Sequence, residues 1–168
     1  MPSSPAAPPM LHLLCGKIAS GKSTLAARLA RRPGHLRLAE DDWLAALFGP
    51  EMTTGADYLH YAARLRSVMA PHVEALLGAG LSVVLDFPAN TVEQRGWMRD
   101  LIARTGVAHE LHLLTPPDAV CLARLRARNA DADHPFAATE AQFHRFAAHF
   151  APPGPDEGFT IRRHGTAG

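Results

Sequence analysis

Gly16-Lys17-Ile18-Ala19-Ser20-Gly21-Lys22-Ser23 is the stretch on which the reading of this chain turns. Its pattern, G-x-x-x-x-G-K-S, describes a loop whose backbone N–H groups close around phosphate. Gly16 and Gly21 permit the tight bends that aim those groups inward. Lys22 brings a mobile charge to the outer phosphates, and the Ser23 hydroxyl is a ligand for Mg²⁺. Lys17, Ala19, Ser20 and Thr24 complete the stretch expected to line the anion site. A helix opening near Lys22 would turn the positive end of its dipole to the same place.

The flanks supply the context that this loop needs. Met10-Leu11-His12-Leu13-Leu14-Cys15 is a short apolar run ending at a glycine, as a buried parallel strand does. Thr24 to Arg31 follows, with Leu25 and Leu29 on one helical face and arginines at its C-terminal end. Of 17 basic residues only Lys17 and Lys22 are lysines. Where any cation would serve, the chain uses arginine; at 22 it keeps the flexible ammonium.

At 168 residues the chain is expected to be a single domain over 10–168, preceded by a disordered Pro/Ala/Ser-rich tail over 1–9. A net charge of +1 gives no field for a nucleic-acid partner, and no apolar run has membrane-spanning length. With no signal-like start, a cytoplasmic location is expected. Cys15 and Cys121 read as small buried hydrophobes. The ten histidines show no metal-ligand spacing, so none is expected to bind a metal. His109 and His112 stand at an odd offset in an expected strand, which sends them to opposite faces.

Onward from the first helix, Leu36-Arg37-Leu38-Ala39 reads as a second strand ending in the acidic trio Glu40-Asp41-Asp42. Ligands of an α/β sheet lie beyond the carboxyl ends of its strands, which puts the trio on the rim of the phosphate loop. One carboxylate there can take a proton from an acceptor hydroxyl, or the trio can simply cap the next helix. A long helix is expected over about 57–77, with Leu59, Ala62, Ala63, Leu65, Val68 and Met69 in period and Pro71 kinking or splitting it. Tyr58, His60, Tyr61, Arg64 and Arg66 would form its exposed side, where an acceptor-binding insertion would sit. Trp43, Phe48, Tyr58 and Tyr61 could wall a compact ligand.

Leu81 to Asp86 is an apolar strand ending in a carboxylate suited to Mg²⁺. Thr91-x-x-Gln94 and Thr139-x-x-Gln142 are capping boxes that open helices. Val107 to Leu114 is a fourth strand, and a helix after Pro117 carries Arg124 and Arg128 on one face with Arg126 turned away. Residues 129–139 read as a polar loop, and Phe159 to Arg162 as an edge strand. Strands alternating with helices imply a three-layer α/β/α domain around a mainly parallel five-stranded sheet.

Together Gly16–Ser23, Glu40-Asp41-Asp42-Trp43, Leu85-Asp86 and Arg124 to Arg128 resemble the small P-loop kinases, an AAA-like group of ATP-binding proteins. The group includes the 5′-kinase domain of polynucleotide kinase, chloramphenicol phosphotransferase and zeta toxins. The resemblance covers about residues 10–162. It implies a P-loop NTPase fold, ATP and Mg²⁺ as cofactors, and Lys22, Asp41, Arg124 and Arg128 as catalytic residues. Asp41 matches the family's hydroxyl-activating aspartate, with Asp42 next in line. Arg124 is expected beside the nucleotide base and Arg128 on the phosphates; Ser23 and Asp86 would hold the metal. Polynucleotide-type members place an arginine three residues after the catalytic aspartate, and here Leu44 stands there, or Ala45 if Asp42 is the base.

The expected activity is therefore γ-phosphoryl transfer from Mg-ATP to a hydroxyl of a small molecule. A polynucleotide 5′-kinase, a zeta-like nucleotide-sugar kinase and an acceptor-independent regulatory ATPase are the alternatives. A guanine-reading N/T-K-x-D motif is absent, and Phe87 stands where a hydrolytic motor has a second acid after Asp86.

Overall fold

A computed structural model describes residues 7–131 and 137–165. Most of the expected tail and the middle of the expected 129–139 loop lie outside the described residues. The strands are β1 (Met10–Cys15), β2 (His35–Ala39), β3 (Ser82–Asp86), β4 (Ala108–Leu114) and β5 (Ile161–His164). The helices are α1 (Lys22–Ala30), α2 (Glu40–Phe48), α3 (Gly55–Gly78), α4 (Val92–Thr105), α5 (Asp118–Ala130) and α6 (Glu140–Ala148).

The strands form one sheet in the order β2-β3-β1-β4-β5. Every neighbouring pair is parallel, so the expectation of a mainly parallel sheet is met in full. Chain order reverses around the central β1, which puts the crevice beyond its carboxyl end, where Gly16–Ser23 begins. The edge strand starts two residues later than expected, at Ile161. Leu11, Leu13, Cys15, Val83, Leu85, Leu111 and Leu113 turn to the α3/α4 side and make the larger core. Leu14, Val84 and Leu114 turn to the other side, under Leu25, Ala26 and Leu29 of α1. Cys15 and Cys121 are buried free thiols, as expected, and burial pushes the Cys15 thiol up to about 11.

The two capping boxes hold, and Thr54 with Asp57 forms a third at the start of α3. Two expectations about α3 do not hold. Pro71 does not split it, and the helix runs unbroken from Gly55 to Gly78. Pro71 and Ser67, whose carbonyl it cannot serve, both lie on the solvent side. The buried stripe is Ala62, Leu65, Met69, Val73 and Leu77, while Leu59 and Val68 are exposed. Tyr58, Tyr61 and Arg66 instead turn inward, toward α2 and the core.

One buried cation ties the C-terminal segment to the rest. Arg95 of α4 is fully buried, and its Nε and Nη2 reach the two oxygens of Glu157 at 2.8 and 3.1 Å. Its Nη1 donates to the carbonyls of Ala89 and Ala151. Removing one partner of such a pair strands the other, so Arg95→Ala should lose ~3–5 kcal/mol in urea denaturation. The pH profile gives an independent check. Arg95's hydrogen bond holds the Glu157 carboxyl below its ordinary 4.5. That stabilisation is full above 4.5 and is lost as pH falls through the lower folded value. Arg95→Ala should flatten this acid limb.

Candidate active site

The phosphate loop follows β1 without a break. Two residues carry positive φ, Ala19 at 59° and Gly21 at 100°. Gly21 needs its glycine for that backbone, and Ala19 is held in a conformation that costs a side-chain-bearing residue free energy. Gly16 is required for a different reason than the expected bend. A Cβ there would run into the Ser20 hydroxyl and lie 2.8 Å from the Leu114 carbonyl oxygen. Ile18 and Ala19 are braced by the small core of Cys121, Leu125 and Phe143 from α5 and α6. Asn90, which sequence reasoning missed, accepts from the Gly16 N–H at 2.9 Å, and its own N–H is held by Gln94. Lys17 leans outward and donates to Asp118 at 2.7 Å.

The loop is arranged for an anion. The α1 N-terminus has no side-chain cap and no acid in its first turn, so its N–H groups face the cradle. Lys22 Nζ reaches back to the carbonyls of Gly16, at 2.5 Å, and Lys17, at 2.8 Å. Burial pulls its pKa down to about 8, against the opposing pull of Asp86 and Asp41. Ser20 Oγ and Arg128 Nε are buried with no hydrogen-bond partner among the described residues. Buried donors are ordinarily paired, so a polar guest belongs here.

On the facing rim, β2 passes straight into α2, and Ala39 rather than an aspartate occupies the N-cap position. The N-cap residue itself gives no side-chain cap, and the three acids occupy the first turn, where the helix dipole favours them. The three acids differ in surroundings. Glu40 is buried and accepts from Tyr58 Oη at 2.6 Å and Arg66 Nη2 at 3.3 Å. Burial raises its pKa, while Tyr58 and Arg66 oppose the rise. Asp41 is exposed, in electrostatic reach of the Lys22 ammonium. Asp42 lies 4.0 Å from Arg37 Nη1. The expected aromatic wall does not assemble. Tyr58 spends its hydroxyl on Glu40, and Phe48 and Tyr61 stack on each other 4.4 Å apart, which leaves Trp43 as the exposed ring.

Asp86 ends β3 beside Ala39. Arg37 Nε and Nη2 both donate to Asp86 Oδ2, at 3.1 and 2.7 Å. Both donors end on Oδ2, so Oδ1 takes no hydrogen bond from Arg37. Asp86 and the exposed Ser23 hydroxyl at the start of α1 each carry the hard oxygen that Mg²⁺ takes.

On α5, Arg124 turns toward the loop, and Arg128, one turn on, is half-buried. A Cβ on Gly21 would meet Arg124 Nη1 at 3.7 Å. Arg126 points away and pairs with Glu140 of α6. Between α1, α5 and β5 lies a cavity of about 650 Å³, walled by Thr24, Arg28, Leu114, Arg124, Arg163 and His164. The last two come from β5, and sequence reasoning gave them no role.

The chain has the fold of three solved structures in particular. One is a protein of Chloroflexus aurantiacus J-10-fl described as a candidate kinase, 19% identical, with a TM-score of 0.73 over 94% of this chain and 88% of that one. A sugar kinase from Janibacter sp. HTCC2649 is 20% identical, with a TM-score of 0.61 over 93% and 86% of the two chains. The Pnkp1/Rnl/Hen1 RNA repair complex contains a chain 20% identical, with a TM-score of 0.64 over 84% of this chain and 43% of that one. No curated protein sequence matches at a significant level. Residues 11–153 match the model of the AAA domain family, so the chain, with its phosphate loop, all-parallel sheet and paired arginines, belongs to that family.

Proposed function

We propose that this protein is a Mg-ATP-dependent phosphotransferase that moves the γ-phosphoryl group to a hydroxyl of a small molecule. The observation that carries the reading is the phosphate cradle. An uncapped helix end, a half-buried lysine whose pKa burial lowers, and the unpartnered Ser20 hydroxyl support it. Each residue then has a task. Lys22 neutralises charge on the outer phosphates, and Ser20 Oγ with the loop N–H groups fixes their position. Arg124, beside Gly21 and on the wall of the 650 Å³ cavity, faces the space suited to the nucleotide base. Arg128 closes on the phosphate oxygens. Bound with the nucleotide, Mg²⁺ would be held by Ser23 and Asp86 and would offset charge between the phosphates. Asp41 takes the proton from the acceptor hydroxyl.

The arginine pair gives a specific expectation. Arg128→Lys should be impaired in turnover by on the order of tenfold or more, because a point charge cannot replace a planar fork on phosphate oxygens. Arg126→Ala loses an exposed pair and should keep near-wild-type turnover in the same assay. Equal losses would reduce Arg128 to a general charge effect.

A small acceptor is favoured by two observations. The net charge is +1, where phosphate-tracking surfaces need clustered cations. Leu44, at the position of the acceptor-phosphate arginine in polynucleotide-type kinases, is fully buried core. The fold itself is shared by a sugar kinase and by a chain of an RNA repair complex, so it does not choose the acceptor. The test supplies γ-labelled ATP with 5′-hydroxyl oligonucleotides in one arm and sugars, nucleosides and aminoglycosides in the other. Label should pass to a small compound. Salt-sensitive labelling of the oligonucleotide alone would overturn the small-acceptor reading.

A further inference from the structure

Away from the phosphate loop, β1 and β4 bring three potential ligands together on the α1 face of the sheet. His12 pairs in register with Glu110, and His112 is two residues along on the same face. His12 Nδ1 lies 3.0 Å from His112 Nε2. Glu110 Oε2 lies 3.9 Å from His12 Nδ1 and 3.6 Å from His112 Nε2. A tetrahedral ion ~2.1 Å from each donor would set neighbouring donors ~3.4 Å apart, near the mean of these three edges. The odd offset of His109 and His112 did separate those two, but the partner of His112 comes from another strand.

We infer that His12, Glu110 and His112 form a binding site for one late first-row divalent ion, with Zn²⁺ the natural occupant, separate from the Mg-nucleotide site. The surroundings support this in four ways. Both imidazoles are about 1% exposed, an environment that favours the neutral ring, which offers a lone pair. His112 Nδ1 is 2.9 Å from His164 Nε2; donating its proton there leaves Nε2 free to ligate, the usual outer support of a metal-bound imidazole. His12 Nε2 has no hydrogen-bond partner among the described residues, so it is open to carry the ring proton when Nδ1 ligates. Arg162 Nε stands 3.8 Å from Glu110 Oε1, which leaves Oε2 turned to the two rings.

Two imidazoles and one carboxylate are the donor set of three-ligand zinc sites, where water fills the fourth position. Glu110 is partly exposed, which gives the ion an entry path. Such an ion would clamp the central strand to β4. Through His112 it would also orient His164, a wall residue of the cavity beside α1.

The experiment uses untagged full-length protein stripped with chelator and kept free of nucleotide, so its outcome does not depend on kinase activity. Zn²⁺ is titrated against a chromophoric competitor, and Co²⁺ is added in parallel for its visible spectrum. The inference predicts one ion per chain, the absorption of a four-coordinate cobalt with nitrogen and oxygen donors, and a raised thermal midpoint. Glu110→Gln, on a partly exposed side chain, should weaken binding about tenfold or more. The double variant His144→Ala/His149→Ala, on and beside the distant α6, should bind as wild type. His112→Asn should abolish binding if it folds, and Glu110→Gln decides if it does not. No stoichiometric binding, or binding untouched by Glu110→Gln, would overturn the site.

Discussion

Lys22→Ala should lose turnover by on the order of 10²-fold or more while keeping its fold. Among the described residues the ammonium donates to the carbonyls of Gly16 and Lys17, and burial draws its pKa down to about 8. It is a half-buried cation, with Asp86 and Asp41 in electrostatic reach, and arriving phosphates bring it a full charge partner. Its interaction is strongest where negative charge spreads over the transferring group, so alanine removes transition-state binding rather than mere affinity. ADP release by a variant shown to be folded by circular dichroism is the check. Near-wild-type turnover would remove the phosphate-loop assignment. Ser23→Ala should have a smaller effect, seen as a higher Mg²⁺ requirement.

Asp41→Asn should abolish transfer to the acceptor, by ~10²–10⁴-fold, while nucleotide binding is unchanged. Asp41 faces the rim near Lys22, whereas Glu40 is buried under Tyr58 and Arg66 and is committed to holding α3 against α2. Asp42 is an exposed residue with a 4.0 Å contact to Arg37, so Asp42→Asn should change stability by less than ~1 kcal/mol and leave transfer intact. Titration with a fluorescent nucleotide beside the transfer assay separates the two steps. Loss of transfer in Asp42→Asn with Asp41→Asn active would move the base one residue along.

The phosphate loop and the parallel sheet were legible because their signals are short and contiguous. Eight residues carry the cradle, apolar runs mark the strands, and Thr91/Gln94 and Thr139/Gln142 announce their helices. Pairings between distant segments were not. His12 and His112 stand 100 positions apart, and Arg95 and Glu157 stand 62 apart. Nothing local marks either pair. Nor does any local signal mark Asn90, which holds the Gly16 N–H. The face of α3 was misjudged because periodicity admits neighbouring registers. Tyr58 and Arg66 were drawn inward by the buried Glu40, leaving Leu59 outside. Gly16 was legible as a residue but not in its role, which is room for Ser20 and Leu114 rather than a left-handed bend.

The central claim is that ATP is spent on an acceptor and not on water. Its most direct test follows ADP release in the presence of Mg²⁺, with and without a hydroxyl-rich metabolite pool, while mass spectrometry follows the pool. The account predicts that ADP release rises with the pool, that one compound gains a single phosphoryl group for each ADP formed, and that both signals vanish in Asp41→Asn. ADP release that is the same with and without the pool, and unchanged in Asp41→Asn, would contradict it and leave an acceptor-independent ATPase.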